Sequence, residues 1–300
     1  MKPHKYLSYL TAAICTMALC HTATAQNTTS GYFVDDYTYR FQMNPAYENS
    51  KNFIAIPALG NMNVSMRGSL QVRDVIYSVN GQTTTFLNPL VSVDEVMKNI
   101  GENNRLGADI KIPILAAGFK AWGGYNTITL SARASVGLKV PGSLFSFLKE
   151  GVANQSYDLS GTRAFGTAYG EIALGHSRKI NNKLRVGGAL KFLIGAGDMS
   201  ANFKTANLNL DQNDWQVTSE AEINSSVKGL TYKTTINDRT GHEYVDGMDY
   251  DSFGLNGFGM AIDLGATYNL TCDWELSMAL LDLGFISWNN NQLATTYGEK

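Results

Sequence analysis

Arg133, Lys139, Arg185, Lys191, Asp263 and Glu275 are the residues of this 300-residue chain best placed to act together. Each lies in a stretch where apolar and polar residues alternate, and each falls on the polar side. Mixed charge on one face can pair internally, anchor a plug or line a polar passage. The plainer reading is interior salt-bridge packing, and spacing alone leaves the choice open. Other chemistry is thinly supplied. Once a leader is set aside, the histidines are His176 and His242, far apart and without ligand-spaced neighbours, whereas zinc needs three or four ligands. No Gly-x-Ser-x-Gly elbow supports a serine nucleophile. Gly257-Phe258-Gly259 lacks the third glycine and the βαβ setting of a dinucleotide fingerprint. Asp211-Gln212-Asn213-Asp214 lacks the spaced glycine and closing glutamate of a calcium loop, and reads as a solvated loop. Cys272 stands alone outside the leader, which excludes an internal disulfide and a thiolate metal cluster. These residues predict no enzyme, no cofactor and no metal.

The elements that must position the charges are long strands. In 126–140, Ile128, Leu130, Ala132, Ala134, Val136, Leu138 and Val140 alternate with Thr127, Thr129, Ser131, Arg133, Ser135, Gly137 and Lys139. A strand has period two, so one face is wholly apolar and the other carries charge, hydroxyls and glycine. Globular strands are mostly about 5–6 residues long, whereas a tilted strand crossing a bilayer needs roughly 9–11. The pattern recurs in 105–117, where Ala116 falls on the apolar side, and in 183–196, 257–270 and 61–72. It is weaker in 168–178 and 215–227. Ile128, Leu130, Val136, Phe192, Ile262 and Leu264 are the expected lipid-facing residues, and the six charges above are the expected lumen-facing ones. Asp282 is in phase with the apolar side of Trp274, Leu276, Met278 and Leu280, so a bulge near Gly284 is needed to return it inward.

The connections carry the same message. Trp122-Gly123-Gly124, Asn181-Asn182 and Thr271-Cys272-Asp273 read as tight turns, separated by long connections at 141–165, 199–256 and before 105. Short turns alternating with long loops are the rhythm of an up-and-down transmembrane barrel. Within the loops, 93–100 and 141–150 read as helices, the second opening at Pro141, and Asn80-Gly81 marks a hairpin in 75–86. Tyr125, Trp122, Tyr268, Trp274 and Trp288 near strand ends suit an interfacial girdle.

Export fits this picture. Lys2 and Lys5, an apolar stretch from Tyr6 to Cys20, and Ala23-Thr24-Ala25 before Gln26 form a signal-peptide pattern over 1–25. Residues 26–52 are then a lead-in or hatch, and 53–300 the barrel domain. With 24 basic against 26 acidic residues and no basic run, nucleic acid is not an expected partner. Outside the leader no apolar stretch reaches membrane-helix length, so a spanning fold must be a closed barrel.

Several strings resemble known outer-membrane proteins. Met43-Asn44-Pro45-Ala46-Tyr47 resembles the lead-in of a group of Bacteroidota barrels, Gly187 to Gly195 their glycine-x-lysine-apolar-glycine strand, and Ala261 to Tyr268 their aspartate-x-glycine-x-x-tyrosine strand. Leu281 to Ile286 and Trp288 extend the match. The chain thus resembles an uncharacterised family of outer-membrane barrels, a domain of unknown function, distantly similar to PorV, PorP/SprF-type proteins and the FadL fatty-acid transporter. The resemblance implies an all-β, antiparallel barrel in the outer membrane, touching outer-membrane lipid, with a lipophilic ligand or exported envelope proteins as partners. It carries over no binding residue. Transport or binding of a lipophilic or small solute is the first expectation, an envelope scaffold the second, and a soluble secreted β-protein the weakest. The chain stops at Tyr297-Gly298-Glu299-Lys300 after roughly eight to ten strands, fewer than those relatives carry, so either the barrel is smaller here or, the favoured expectation, the chain is incomplete at its C-terminus.

Overall fold

The computed structural model describes residues 31–32, 34, 37–56, 62–151, 155–210, 215–238, 241 and 243–299. The signal pattern at 1–25, the start of the lead-in, the acidic loop at 211–214 and His242 lie outside the described residues.

An antiparallel sheet of eleven strands dominates. Its spine is β5 (Asn103–Ala121), β6 (Gly124–Pro141), β8 (Arg163–Lys179) and β9 (Leu184–Leu210), each paired with the next. Before β5, β1 (Phe53–Ala55) and β2 (Asn63–Gly68) pair with its two ends and together act as one strand. Beyond β9 the neighbour changes with height. β13 (Gly257–Asn269) pairs with Leu184 to Gly195, and β10 (Trp215–Val227) with Gly197 to Leu210. β14 (Glu275–Trp288) and β15 (Asn291–Glu299) continue one another on the outer side of β13 and β10. Short β7 (Gln155–Asp158) extends the β8 side of β9.

All three expected tight turns form, and at one end. Ala121 pairs with Gly124 across Trp122 and Gly123, both at positive φ (56° and 72°) as a type I′ hairpin needs. Lys179 pairs with Arg185, and Asn269 with Glu275.

The expected closed up-and-down barrel needs correcting. Among the described residues the outer edges of β1 and β2 have no ladder partner, and neither have those of β14 and β15, so the sheet is open. Its order is also not strictly consecutive, because β11 (Leu230–Ile236) and β12 (Glu243–Tyr250) leave the wall as a separate hairpin between β10 and β13. The sheet nevertheless curls. Four strand steps of about 4.8 Å separate β6 from β14 in a flat sheet, roughly 19 Å, yet Arg133 Nη1 lies 3.0 Å from Asp282 Oδ2.

Burial along the strands is the reverse of a water-soluble sheet. On β6, Thr127, Thr129 and Ser131 are buried while Ile128, Val136 and Leu138 are exposed. On β13, Asp263 and Thr267 are buried while Ile262 and Leu264 are exposed. The outward apolar run Ile128 to Leu138 covers about 33 Å of strand at roughly 3.3 Å per residue, or about 25 Å of height at a tilt near 40°.

Phase changes on two strands. The β5–β6 register shifts between Pro113 and Leu115, so Leu115 points outward and Ala116 is buried on the concave side, contrary to its place in the simple alternation. The second shift carries Asp282 inward and is described below. Tyr125 and Trp288 are not girdle residues either. Tyr125 is buried and donates its hydroxyl to Lys51 O, and the Trp288 ring lies over Gly195 and Gly257. Trp122 and Trp274 are exposed at the tight-turn end.

At the opposite end a small conventional core forms. It joins the hairpin of β3 (Ile76–Val79) and β4 (Gln82–Thr85), turned at Asn80 and Gly81, to helices α1 (Val72–Val75), α2 (Val93–Met97) and α3 (Ser143–Glu150). Phe86, Val91, Val96, Ile100, Val140 and Phe145 are its buried residues. Val140 keeps its apolar phase but is covered by this cap. Pro141 closes β6 rather than opening α3.

Candidate functional site

The polar face of the curled sheet gathers six ionisable side chains at one height, one from each of six neighbouring strands. Lys111 (β5), Arg133 (β6), Glu171 (β8), Lys191 (β9), Asp263 (β13) and Asp282 (β14) give three cations against three carboxylates. Glu171 is fully buried and faces all three cations: Arg133 Nε at 3.2 Å, Lys111 Nζ at 3.6 Å and Lys191 Nζ at 3.9 Å. Lys191 Nζ also meets Asp263 at 2.5 Å and Asp282 at 2.6 Å. Asp282 is drawn in by a shift between Ile262 and Leu264, where Leu280 and Leu283 pair with successive outward residues and leave Leu281 and Asp282 together opposite the single Asp263. Its φ is +57°, and its backbone N–H donates to Asp263 Oδ1 at 2.7 Å. The expected bulge near Gly284 therefore exists, at Leu281 and Asp282.

Beneath this layer the segment 37–49 crosses the concave face. Tyr39 and Phe41, the first capping and the second within a short 3₁₀ turn at Arg40–Gln42, pack with Ala116 on the β1–β5 side. Asn44 is fully buried on the far side, donating to Ser277 Oγ (2.8 Å), Met278 O (3.2 Å) and Ala266 O (3.3 Å). Glycine is required opposite it. A Cβ at Gly187 would run into the Pro45 carbonyl, and one at Gly265 into the Asn44 side chain. Tyr47 donates to Glu275 Oε1 at 2.7 Å, and Arg185 pairs with Glu48 at 2.5 Å. The space left between segment and charges is a void of about 20 Å³ bordered by Phe41, Pro45, Lys111, Glu171 and Lys191, room for about one water.

The structure thus brings Arg133, Lys191 and Asp263 together in the charged layer. Arg185 and Glu275 hold the crossing segment below it, and Lys139 stands above it. Of the outward set, Ile128, Val136, Ile262 and Leu264 are exposed, and Leu130 and Phe192 half-buried. Lys111 was visible on the polar side of its strand. Glu171 was missed, because its strand alternates weakly and the residue has no charged neighbour in sequence. Among the described residues, no group of three or more His, Cys, Asp and Glu is placed to hold a metal. No described helix is long and apolar enough to cross a membrane.

The Asn44-Pro45-Ala46 string, Gly187, Lys191, Asp263, Gly265 and Asp282 all meet in this one assembly. A family model described as a family of unknown function, DUF5723, matches residues 45–299. The chain belongs to the DUF5723 family. No curated protein and no solved structure matches it. In this DUF5723 chain the six-strand charge layer and the crossing segment tie both halves of the described sheet together across its concave face.

Proposed function

We propose that this protein is a non-enzymatic wall protein of the bacterial outer membrane, with FadL- or PorV-like architecture. In this reading it binds a lipophilic or small solute, or moves one passively. The supporting observation is the inverted sheet, with Thr129, Ser131, Glu171 and Lys191 buried and Ile262, Leu264, Met278 and Phe285 exposed. In water that arrangement forfeits apolar burial worth roughly 25 cal/mol per Å², while against hydrocarbon it is the favoured one. The residues 1–25 act here as a cleaved export signal, 26–52 as a hatch, and 53–300 as the wall. The ionisable groups of the layer are spent on one another, which supports a structural rather than a catalytic use. The filled space beneath the layer favours binding over free passage.

A second reading, an envelope scaffold that docks exported or motility proteins, is favoured by the apolar surface of the hairpin region. Ile236, Met248, Phe253 and Leu255 are 64%, 63%, 81% and 67% exposed. The deciding experiment is cell fractionation with heat-modifiability on gels. An outer-membrane protein whose band shifts on boiling is expected. A periplasmic protein with no shift ends both readings.

A further inference from the structure

We propose that the space above the charged layer binds a small organic anion built on a planar apolar ring, a carboxylate or sulfonate. The inference rests on the reading of the concave face as a solute-binding lumen. Three cations stand in a row there. Arg105 pairs in register with Lys139, and Lys139 with Arg163, on three adjacent strands and on the same face as Arg133. Directly paired like charges, with Cβ atoms about 5 Å apart, destabilise a sheet, and a bound anion would relieve the repulsion among the exposed Arg105 and Arg163 and the half-buried Lys139. Among the described residues none of the three is in an ion pair, and Arg163 has only the neutral Asn202 Oδ1 at 2.9 Å. The charges of the layer below balance, and of the two carboxylates in the row between, Asp109 is paired with Arg67 while Asp198 lies opposite Thr167, four residues along β8 from Arg163, so no described carboxylate pairs with the cation row.

The next row toward the layer is Gly107, Gly137 and Phe165, again in register. A Cβ at Gly137 would run into the Phe165 ring, so the ring lies over the glycine. It remains 49% exposed, between the exposed Arg163 and the half-buried Thr167 on the same face of β8. A row of cations beside a half-exposed aromatic ring that lies across Gly137, with the Arg67 side chain over Gly107 in the same row, suits a ligand with one anionic group and one flat apolar body. The anion would accept charge-assisted hydrogen bonds from the row while its ring stacks on Phe165. A purely aliphatic anion would gain the first contact without the second.

The test is isothermal titration of the purified full-length protein in neutral detergent. The ligands are naphthalene-2-sulfonate, the uncharged 2-naphthalenemethanol and aliphatic octanoate. The sulfonate is expected to bind tightest and to weaken as salt rises. Lys139→Gln or Arg163→Gln should each weaken it about tenfold, the scale of one lost charge-assisted hydrogen bond. Phe165→Ala should abolish the preference for sulfonate over octanoate. Circular dichroism confirms that each variant is folded, and the salt dependence of the unaltered protein stands even where a variant is not. Equal binding of the uncharged alcohol, equal binding of octanoate, no sulfonate binding, or unchanged affinity in the folded variants overturns the proposal. A periplasmic location would instead end the outer-membrane reading, and the titration would still decide the anion site.

Discussion

The cap and the wall of this molecule follow opposite rules. In the cap, Val96 and Phe145 are buried while Asp94 and Glu95 of α2 and Glu150 of α3 face outward, as water demands of a small core. In the wall, which shares β6 with the cap, the hydroxyls and charges are inside and the aliphatic side chains outside. Both regions come from one chain with 44% hydrophobic residues, so composition cannot account for the difference. Pattern does. The cap uses short elements with apolar residues at helical or turn spacing, and the wall uses long strands at period two. The comparison teaches that on the long strands apolar exposure is sorted by position, gathered mainly on the convex face of the main sheet.

The wall's interior is the place to strike hardest. Glu171 is 1% exposed and balances three cations, so Glu171→Ala leaves buried positive charge unmatched. A loss of about 3–5 kcal/mol is expected, the usual effect of removing one partner of a buried ion pair. Unfolding in denaturant, followed by tryptophan fluorescence in detergent, measures it. A loss under about 1 kcal/mol would mean that the layer is hydrated like a surface, and the contrast with the cap would fail.

The outer surface gives the next largest effect. Ile262→Arg places charge in the middle of the outward apolar run, where a bilayer penalises it by about 2–4 kcal/mol. Ile236→Arg, on the β11 hairpin, puts the same change at a position 64% exposed and outside the main sheet, where about 0.5 kcal/mol or less is expected. Folding of both variants into lipid vesicles, scored by gel shift, compares them directly. Equal effects would remove the distinction between a lipid-facing wall and a water-facing hairpin.

How much of this was legible depends on local regularity. The face of β6 could be read because no residue interrupts its alternation between Thr127 and Lys139. Ala116 was misread because Pro113 and Leu115 bracket a bulge, and a one-residue slip exchanges the faces. Asp282 was legible only as a conflict, an acidic residue in apolar phase, and that conflict marked a real bulge. Its partners Arg133 and Lys191 lie 149 and 91 positions away, and no periodicity encodes a contact across a curled sheet. Asn44 was visible as part of a familiar string, not as the residue seated against Gly187 and Gly265. Closure was inferred from the backbone's need for partners in lipid, and the described strands do not supply it.

The smallest effect belongs to the cap, and it tests whether the cap is an ordinary water-side fold. The Ser92 hydroxyl accepts from the Glu95 backbone N–H at 3.1 Å and closes the first turn of α2. Asp94 and Glu95 in that turn add favourable charge at the helix start. Ser92→Ala removes the cap, which costs about 1 kcal/mol in a solvated helix. Because Val96 and Ile100 tie α2 to Val140 at the end of β6, the loss should appear as faster hydrogen exchange in residues 86–100. The paired strands β6 and β8 should keep their protection, since their ladder is independent of that cap. Exchange that rises equally in cap and wall would make the two regions one cooperative unit, and their opposite patterning would then be a single folding solution.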